Sequence, residues 1–370
     1  MSEKVCVVYH DMLTTYGHGI SCCVDALFQN RTNFLPVKRF EANMEVPAIA
    51  ACFPEGLFPE KSNHIAEQSV MYLLDFMQKN SPFSADEIPC YFALTQGEIS
   101  ELENAEQKWT AKVLIEEIGK QVKLHERSRI FSASCASGNI ALARAAAEIA
   151  SENMDQVLVI GCDVVSEFTF SGFFSVHAIT PDGCRPYDIS HNGLFLGDAA
   201  GVILLASERK AKENNWKILA TIEGYGITTD SYHAAAPDPE GIQMAAAMEK
   251  AIAGTSPEKL AAVIGHGTGT ALNDNMELAA LNRVFPEGIP LASVKGGTGH
   301  ILAASGIIQT SCAIECLNRN QLFPQTSLLT PEKGAERFVS DQIQPLNGDS
   351  ILTLNAGFGG LTAVIRVGRA

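Results

Sequence analysis

Cys135 lies in Ser132-Ala-Ser-Cys-Ala-Ser-Gly-Asn139, between a β-branched, apolar run and an alanine-rich stretch of helical character. That order puts the thiol on a sharp strand-to-helix turn. There the free backbone N–H groups and the helix dipole favour thiolate, so the sulfur is expected to be nucleophilic at neutral pH. The small neighbours Ala136, Ser137 and Gly138 leave room for a substrate. A lone cysteine is as readily a buried small apolar residue, so this motif by itself leaves both readings open. Two segments of the second half answer it: Gly265-His-Gly-Thr-Gly-Thr270 and Lys295-Gly-Gly-Thr-Gly-His300. His266 among glycines is seldom a core packer, though it could be a satisfied turn histidine. His300 stands at an expected helix start, where the dipole disfavours imidazolium and leaves a neutral ring able to donate N–H to a developing enolate oxygen. Lys295 and Glu277 are either a structural pair of little worth at the surface or, if buried, mutual charge partners. A nucleophilic thiol with two histidines is what carbon–carbon bond formation on thioesters needs. His10, His18, His64 and His125 have no comparable setting.

The elements that must carry these groups follow from periodicity and punctuation. Strands are expected at Val5–Tyr9, Cys90–Leu94, Ser128–Ser134, Gln156–Ile160, Ala200–Ala206 and Trp216–Tyr225, with helices at Gly17–Phe28, Ile65–Lys79, Glu106–Val122 and Ala136–Ala150. Residues 40 to 65, with prolines at 47, 54 and 59, read as irregular. The second half repeats the plan: helix Gln243–Ala253, strand Leu260–Ile264, helix Met276–Val284, strand Leu291–Val294, helix His300–Leu317, and closing strands Leu352–Asn355 and Ala363–Val367. The strand–helix–strand order around Cys135 implies a parallel sheet. Cys135 and His300 each introduce an Ala/Gly-rich helix after a strand, a weak internal duplication in element order. With no linker or low-complexity tract, one fused α/β unit is expected, its halves at 1–207 and 208–370.

The 370 residues are 46% hydrophobic and 19% charged, enough to bury a large core. A net charge of −15 argues against nucleic acid as partner. The ten cysteines are scattered and contain no C-x-x-C pair, which argues against a zinc knuckle or disulfide framework and for buried thiols in a reducing compartment. No signal peptide is read at Met1-Ser-Glu-Lys and no apolar run approaches membrane-span length, so a cytoplasmic location is expected.

Taken together these segments resemble the β-ketoacyl-acyl-carrier-protein synthases of the thiolase superfamily, in the elongating Cys-His-His branch. The likeness rests on Ser-Cys135-Ala-Ser, Cys184-Arg-Pro-Tyr-Asp188, Gly197-Asp-Ala-Ala-Gly201, Tyr232-His…Ala-Pro-Asp-Pro-Glu240, His266-Gly-Thr-Gly-Thr270, Asp274-x-x-Glu277, Lys295-x-x-x-Gly-His300 and Asn355-Ala-Gly-Phe358-Gly-Gly360, in family order. The resemblance implies the thiolase fold, two pseudo-symmetric mixed five-stranded sheets in α-β-α-β-α layers, and a dimer. It implies that Cys135 accepts an acyl chain from a carrier-protein or coenzyme A thioester, and that His266 and His300 promote decarboxylation of a malonyl thioester. The backbone N–H groups of Cys135 and Phe358 would form the oxyanion hole. Thr268 and Thr270 would contact the phosphopantetheine arm, and Lys295 and Glu277 would be a supporting ion pair with Asp274 nearby. No metal or bound organic cofactor is implied, since the pantetheine arrives on the substrate. His300 separates this pattern from thiolases, with a second cysteine, and from the Cys-His-Asn initiating enzymes.

The chain also departs from that pattern. Residues 1 to about 127 match poorly, Val8-Tyr-His-Asp-Met12 replaces the opening glycine-rich pattern, and the stretch between Phe40 and Ile130 is short. Leu194 stands where an acyl-pocket phenylalanine is usual, which points to unusual acyl chains of the kind found in polyene or polyketide-type pathways. Other readings are a chain-length-factor-like or structural partner in a ketosynthase heterodimer, or an acyltransferase that works without decarboxylation; retention of Cys135, both histidines and Lys295 favours the active condensing enzyme.

Overall fold

The structure, a computed structural model, describes residues 3–40, 47–58, 64–86, 88–97, 99 and 110–370. Short strands at Leu35–Pro36, Ile49–Ala51, Leu196–Gly197, Gln321–Leu322 and Gln344–Pro345 form two small separate sheets. Leaving aside the short Gly17–His18 strand, the strands of the main sheet fall into two sets of five. The first comprises β1 (Val5–Thr14), β2 (Cys90–Ala93), β3 (Arg129–Phe131), β4 (Gln156–Asp163) and β5 (Ala199–Ser207). The second comprises β6 (Ala220–Thr229), β7 (Leu260–Ile264), β8 (Leu291–Ala292), β9 (Ser350–Gly357) and β10 (Leu361–Gly368). The spatial order is β1-β5-β4-β2-β3 in the first and β6-β10-β9-β7-β8 in the second, the same permutation of chain order. The pairing senses also repeat: antiparallel for β1–β5, β5–β4, β6–β10 and β10–β9, parallel for β4–β2, β2–β3, β9–β7 and β7–β8. The expected pair of mixed five-stranded sheets is therefore present. A short antiparallel pairing of β1 with β6, Val5 to Ile222 through Val7 to Ala220, joins them edge to edge.

Ten helices pack on these sheets among the described residues. They are α1 (Ile20–Phe28), α2 (Ile65–Asn80), α3 (Thr110–Gly119), α4 (Ser137–Ala150), α5 (Glu167–Ser175), α6 (Glu208–Glu213), α7 (Ile242–Ala251), α8 (Ala271–Val284), α9 (Lys295–Thr298) and α10 (Ser305–Arg319). Three apolar clusters define the layers. α2 and α3 cover the outer face of the first sheet through Leu73, Met77, Leu114 and Ile118. α7 and α8 cover the outer face of the second through Met244, Met248, Leu278 and Leu281. Between the sheets α4 and α10 are buried on most sides, with Leu142, Ile149, Ile307 and Ile314 meeting Val157, Ile203, Ile351 and Ile365 from both sheets. Strands sandwiched in this way need apolar side chains on both faces, which is why β4 and β5 read as near-continuous apolar runs.

Most expected elements are present with shifted ends. β1 extends to Thr14, and Gly17–His18 folds back on it as a short antiparallel strand where helix was expected. α8 begins at Ala271 rather than Met276. α5 and α6 were not read from the sequence. Of the expected helix Glu106–Val122, residues 106–109 lie outside the described residues and 110–119 are helical. The clearest difference concerns His300. The helix expected to begin there begins at Ser305, after a 3-10 turn at Leu302–Ala304, and His300 is extended backbone bridged to Leu196.

Candidate active site

Cys135 is delivered by the end of β3 and the start of α4. Ser134 before it has a left-handed φ of 50°, a strained turn that a non-glycine residue adopts only when its surroundings demand it. Ser137 fixes that turn: its hydroxyl donates to Ser134 O at 2.6 Å and accepts the Ala133 N–H at 2.8 Å. The thiol is 6% exposed. Burial pushes it up to about 12, against the opposing pull of the Lys295 ammonium. In this respect the structure differs from the expectation of a resting thiolate: desolvation outweighs the helix end.

His266 follows β7. Its segment is built around Glu277 on α8, whose two oxygens accept the His266 N–H at 2.7 Å and the Gly267 N–H at 2.8 Å, while the Tyr187 hydroxyl donates to the second at 2.9 Å. Any side chain at 265 or 267 would strike that hydroxyl, which accounts for both glycines. Every contact to the carboxyl group is a donor, a set that only the ionised form accepts in full. Burial nonetheless pushes Glu277 up from the usual carboxylate range. Lys295, fully buried at the start of α9, donates to His266 O and lies 3.3 Å from its Nδ1. The direct Lys295–Glu277 ion pair of the sequence reading is replaced by an arrangement in which each grips His266 from a different side, their charges still opposing across it. Burial brings Lys295 down to about 8.

His300 is 2% exposed and meets His266 edge to face, ring centroids 5.5 Å apart at 84°. The Leu302 N–H donates to its Nδ1 at 3.0 Å. A backbone N–H can only donate, so Nδ1 accepts and the proton sits on Nε2. Both imidazoles are held well below their ordinary value, by burial first and the Lys295 charge second. The neutrality expected for His300 from a helix start thus has a different origin, because the helix begins five residues later.

Cys135, His266, His300, Thr268, Thr270, Leu194 and Phe358 all line one cavity of about 340 Å³; Lys295 and Glu277 stand behind it. The Thr268 and Thr270 hydroxyls are 2.8 Å apart. Leu194, 3% exposed, belongs to an apolar wall with Val165, Phe170, Leu196 and Leu302, against which Phe40 and Phe173 pack. The Phe358 loop comes close to the nucleophile: a methyl group on Gly357 would lie 3.3 Å from Cys135 N, and Ser134 Oγ donates to Phe358 O at 3.4 Å. Phe358 itself is 44% exposed and stacks on Phe173 at 5.7 Å.

Two supporting residues, Gln309 and Asp163, escaped the sequence reading, and Asn355 was read there as part of a motif without a role. Gln309, a lone amide in the buried α10, donates to Gly265 O at 2.6 Å and accepts from Asn355 Nδ2 at 2.5 Å, and the Asn355 side chain hydrogen-bonds His266. Asp163, at the end of β4, accepts N–H groups of Thr95, Gln96 and Ala303, tying the ends of β4 and β2 to the 3-10 turn that follows His300; burial raises it to about 6. An amide or carboxylate inside an apolar run is the signal that marks such residues. Among the described residues no cluster of His, Cys, Asp and Glu could hold a metal ion.

Known proteins place this architecture. Residues 98–211 match the β-ketoacyl synthase N-terminal domain and 219–329 the C-terminal domain. The 3-oxoacyl-[acyl-carrier-protein] synthase 2 of Coxiella burnetii is 28% identical over 249 residues, and that of Staphylococcus aureus 28% over 244. These alignments cover 64% and 63% of this chain and 60% of each relative, so the chain matches about three fifths of their length. Among solved structures, the ishigamide ketosynthase/chain length factor superposes with a TM-score of 0.87 at 21% identity, and a β-ketoacyl synthase from Burkholderia phymatum with 0.84 at 22%; both cover all of this chain and of theirs. Residues 1–97 lie outside both family matches, in line with the poor N-terminal match read from the motifs, whereas 98–127, read as part of that poor match, fall within the first. With both domains matched in order, and with the fold to go with them, the chain belongs to the β-ketoacyl synthase family.

Proposed function

We propose that this chain is a condensing acyltransferase that joins an acyl thioester to malonyl-acyl carrier protein by decarboxylative Claisen condensation, in fatty-acid, polyene or polyketide-type synthesis. The observation that carries it is the meeting of the Cys135 thiol with two neutral imidazoles on one largely apolar cavity. The thiol attacks the acyl thioester carbonyl; its proton leaves with the departing pantetheine thiol, and the acyl group stays on sulfur. The N–H groups of Cys135 and Phe358 receive the oxyanion, as the close approach of Gly357 to Cys135 N allows. The malonyl arm then enters beside Thr268 and Thr270. Its carboxylate leaves as carbon dioxide, and the electron pair becomes an enolate whose oxygen accepts N–H bonds from His300 and His266. Neutral imidazoles suit this role, because each keeps one N–H to donate. The enolate carbon attacks the acyl carbonyl, the carbon–sulfur bond breaks, and the Cys135 sulfur leaves as thiolate and takes a proton from water, which regenerates the thiol. The phosphopantetheine arm of the carrier protein, or coenzyme A for the primer, is part of the substrate, and Leu194 shapes the acyl wall.

The same reading divides the chain into a Cys-bearing half, 1–207, and a His-bearing half, 208–370. It takes the working form as a homodimer or a heterodimer with a second ketosynthase-like subunit. No described helix is long and apolar enough to cross a membrane. Intact-protein mass tests the core of the proposal. Wild type incubated with a panel of acyl thioesters gains one acyl adduct, which malonyl-carrier protein discharges with carbon dioxide release; Cys135→Ala gains none. Failure of wild type to take any acyl group refutes the condensing role and leaves the chain as a partner subunit.

A further inference from the structure

His191 has no role in the chemistry above, yet it is 7% exposed and faces carboxylates with both ring nitrogens. Nδ1 lies 3.3 Å from Asp274 Oδ2 and Nε2 lies 3.6 Å from Glu332 Oε2. A neutral imidazole carries one N–H and would turn a lone pair toward one of those oxygens; the imidazolium turns an N–H to each, hydrogen-bonding Asp274 and pairing in charge with Glu332. The charged groups that act on it most are acidic, Asp274 on α8, Glu332 on the loop after residue 328 and Asp188 on its own segment; Arg185 on that segment donates to Ser190 Oγ at 3.3 Å. Glu277, which also accepts from Tyr187, and Lys295 stand behind Asp274.

Asp274 connects this histidine to the cavity. It is fully buried; its Oδ1 accepts the Thr268 N–H at 3.0 Å and the Gly269 N–H at 3.3 Å, and its Oδ2 also accepts the Tyr187 N–H at 2.8 Å. The residues just after His191 pair with the same loop, Gly193 N–H donating to Gly269 O at 2.9 Å and Asn192 bridging Thr270.

We propose that His191 is a positioning residue: as an imidazolium bridging Asp274 and Glu332, it holds the Thr268–Thr270 loop in the shape that receives the pantetheine arm. This rests on the functional reading above. Burial works against the charge, but the Asp274 hydrogen bond and the surrounding carboxylates outweigh it and raise His191 above its ordinary 6.5. A raised value means that the bridge is complete at and below 6.5 and is lost as pH rises through the higher folded value.

The test uses the full chain and a non-reactive amide analogue of malonyl-pantetheine. Its Kd is measured against pH by calorimetry, and the His191 ring is titrated by NMR after assignment through His191→Gln. Binding is expected to weaken on the alkaline side as His191 deprotonates. His191→Gln should bind about tenfold more weakly at neutral pH, having lost a charge-assisted bond. His191→Arg should restore binding and abolish the pH dependence. kcat for condensation at saturating substrate should be unchanged in both variants, because His191 touches no reacting atom. A ring that titrates below 6.5, or a His191→Gln variant that binds as wild type at every pH, overturns the proposal. A wild type that binds the analogue with this pH profile yet does not condense overturns the functional reading instead. Wild type with no affinity for the analogue overturns the pantetheine assignment on which both rest.

Discussion

At the scale of residues, the arrangement turns on which groups carry charge. Cys135, His266 and His300 all rest neutral, the thiol because burial lifts it to about 12 and the imidazoles because burial and Lys295 push them down. Lys295 is the cation that organises them, and burial brings it down to about 8 from 10.5. Its ammonium is therefore present below about 8 and lost above, taking with it the donor to His266 O and Nδ1. Carbon dioxide release from malonyl-carrier protein should fall as pH rises past about 8. Lys295→Met should be slow by about a hundredfold and flat across that range, the usual scale for one preorganised donor. The Cys135 thiol titrates too high to be mistaken for this limb. A wild-type rate that stays level to pH 10 would remove Lys295 from the role. The stability sign is opposite: between 8 and 10.5 the unfolded chain binds more protons at this lysine than the folded one, so this group adds stability as pH rises. The residues that meet at the cavity were legible because cysteine, histidine and lysine among glycines have few other uses. Their electrostatics were not. The sequence suggested a thiolate from a helix end and a neutral His300 from another. Burial decides both, and burial belongs to the fold as a whole.

At the scale of elements, the two central helices do the positioning. α4 begins two residues after Cys135 and α10 five after His300, and they touch where glycine allows it. A methyl group on Gly138 would come within 2.7 Å of Ala303 O, and one on Gly306 would collide with the Asn139 backbone. Asn139 in turn donates to Thr353 O and Ala363 O at 3.0 Å each, fastening the Cys135 helix to β9 and β10. The Asn139 N and Gly138 C atoms lie within 2.7 Å of that methyl group, so movement of the Asn139 side chain alone cannot relieve the clash. Gly306→Ala should cost about 3 kcal/mol, at the upper end for overpacking, read as a lower urea midpoint with unchanged slope. It should also lower the rate of Cys135 acylation, since the helices separate where the site is built. A midpoint within error of wild type would mean that the helices can slide. Element order was legible, down to a duplication visible in the Ala/Gly-rich starts of both helices. Element ends were less so. The α10 start was misplaced because Leu302-Ala-Ala is helix-compatible by propensity, whereas the pairing of His300 with Leu196, the left-handed φ of 45° at Leu302 and the capture of the Ala303 N–H by Asp163 keep 300–304 out of the α-helix.

At the scale of the whole molecule, the two ends of the sheet are unlike. At one end Val339 bridges Leu291 of β8, and the Leu291 N–H donates to Phe338 O, so that edge is covered. At the other, β3 pairs with β2 on one side and has no strand partner on its other side among the described residues. It is short, with Arg129 and Ser132 exposed, and it runs directly into the Cys135 turn. An open row of backbone donors and acceptors is a template for another chain. The dimer expected for this family would use it, either as a copy of this chain or as a second ketosynthase-like subunit. Two copies related by a twofold axis would set Arg129, at the start of this strand, and Ser132, just after its end, against the same segment of the other copy. Carboxylates at both positions would then oppose each other directly, a destabilising pairing across an antiparallel ladder. Sedimentation velocity of the wild type should give twice the 39.7 kDa chain mass, and the double variant Arg129→Glu with Ser132→Glu should give one chain mass while keeping its helix and strand content by circular dichroism. A dimer that survives both substitutions places the interface elsewhere. Wild type that sediments as one chain excludes the homodimer, leaving this edge to a different subunit, and a ketosynthase-like protein that pairs with wild type but not with the double variant would then identify it. Because β3 feeds the Cys135 turn, loss of the partner should also slow acylation of the thiol, linking assembly to the first chemical step.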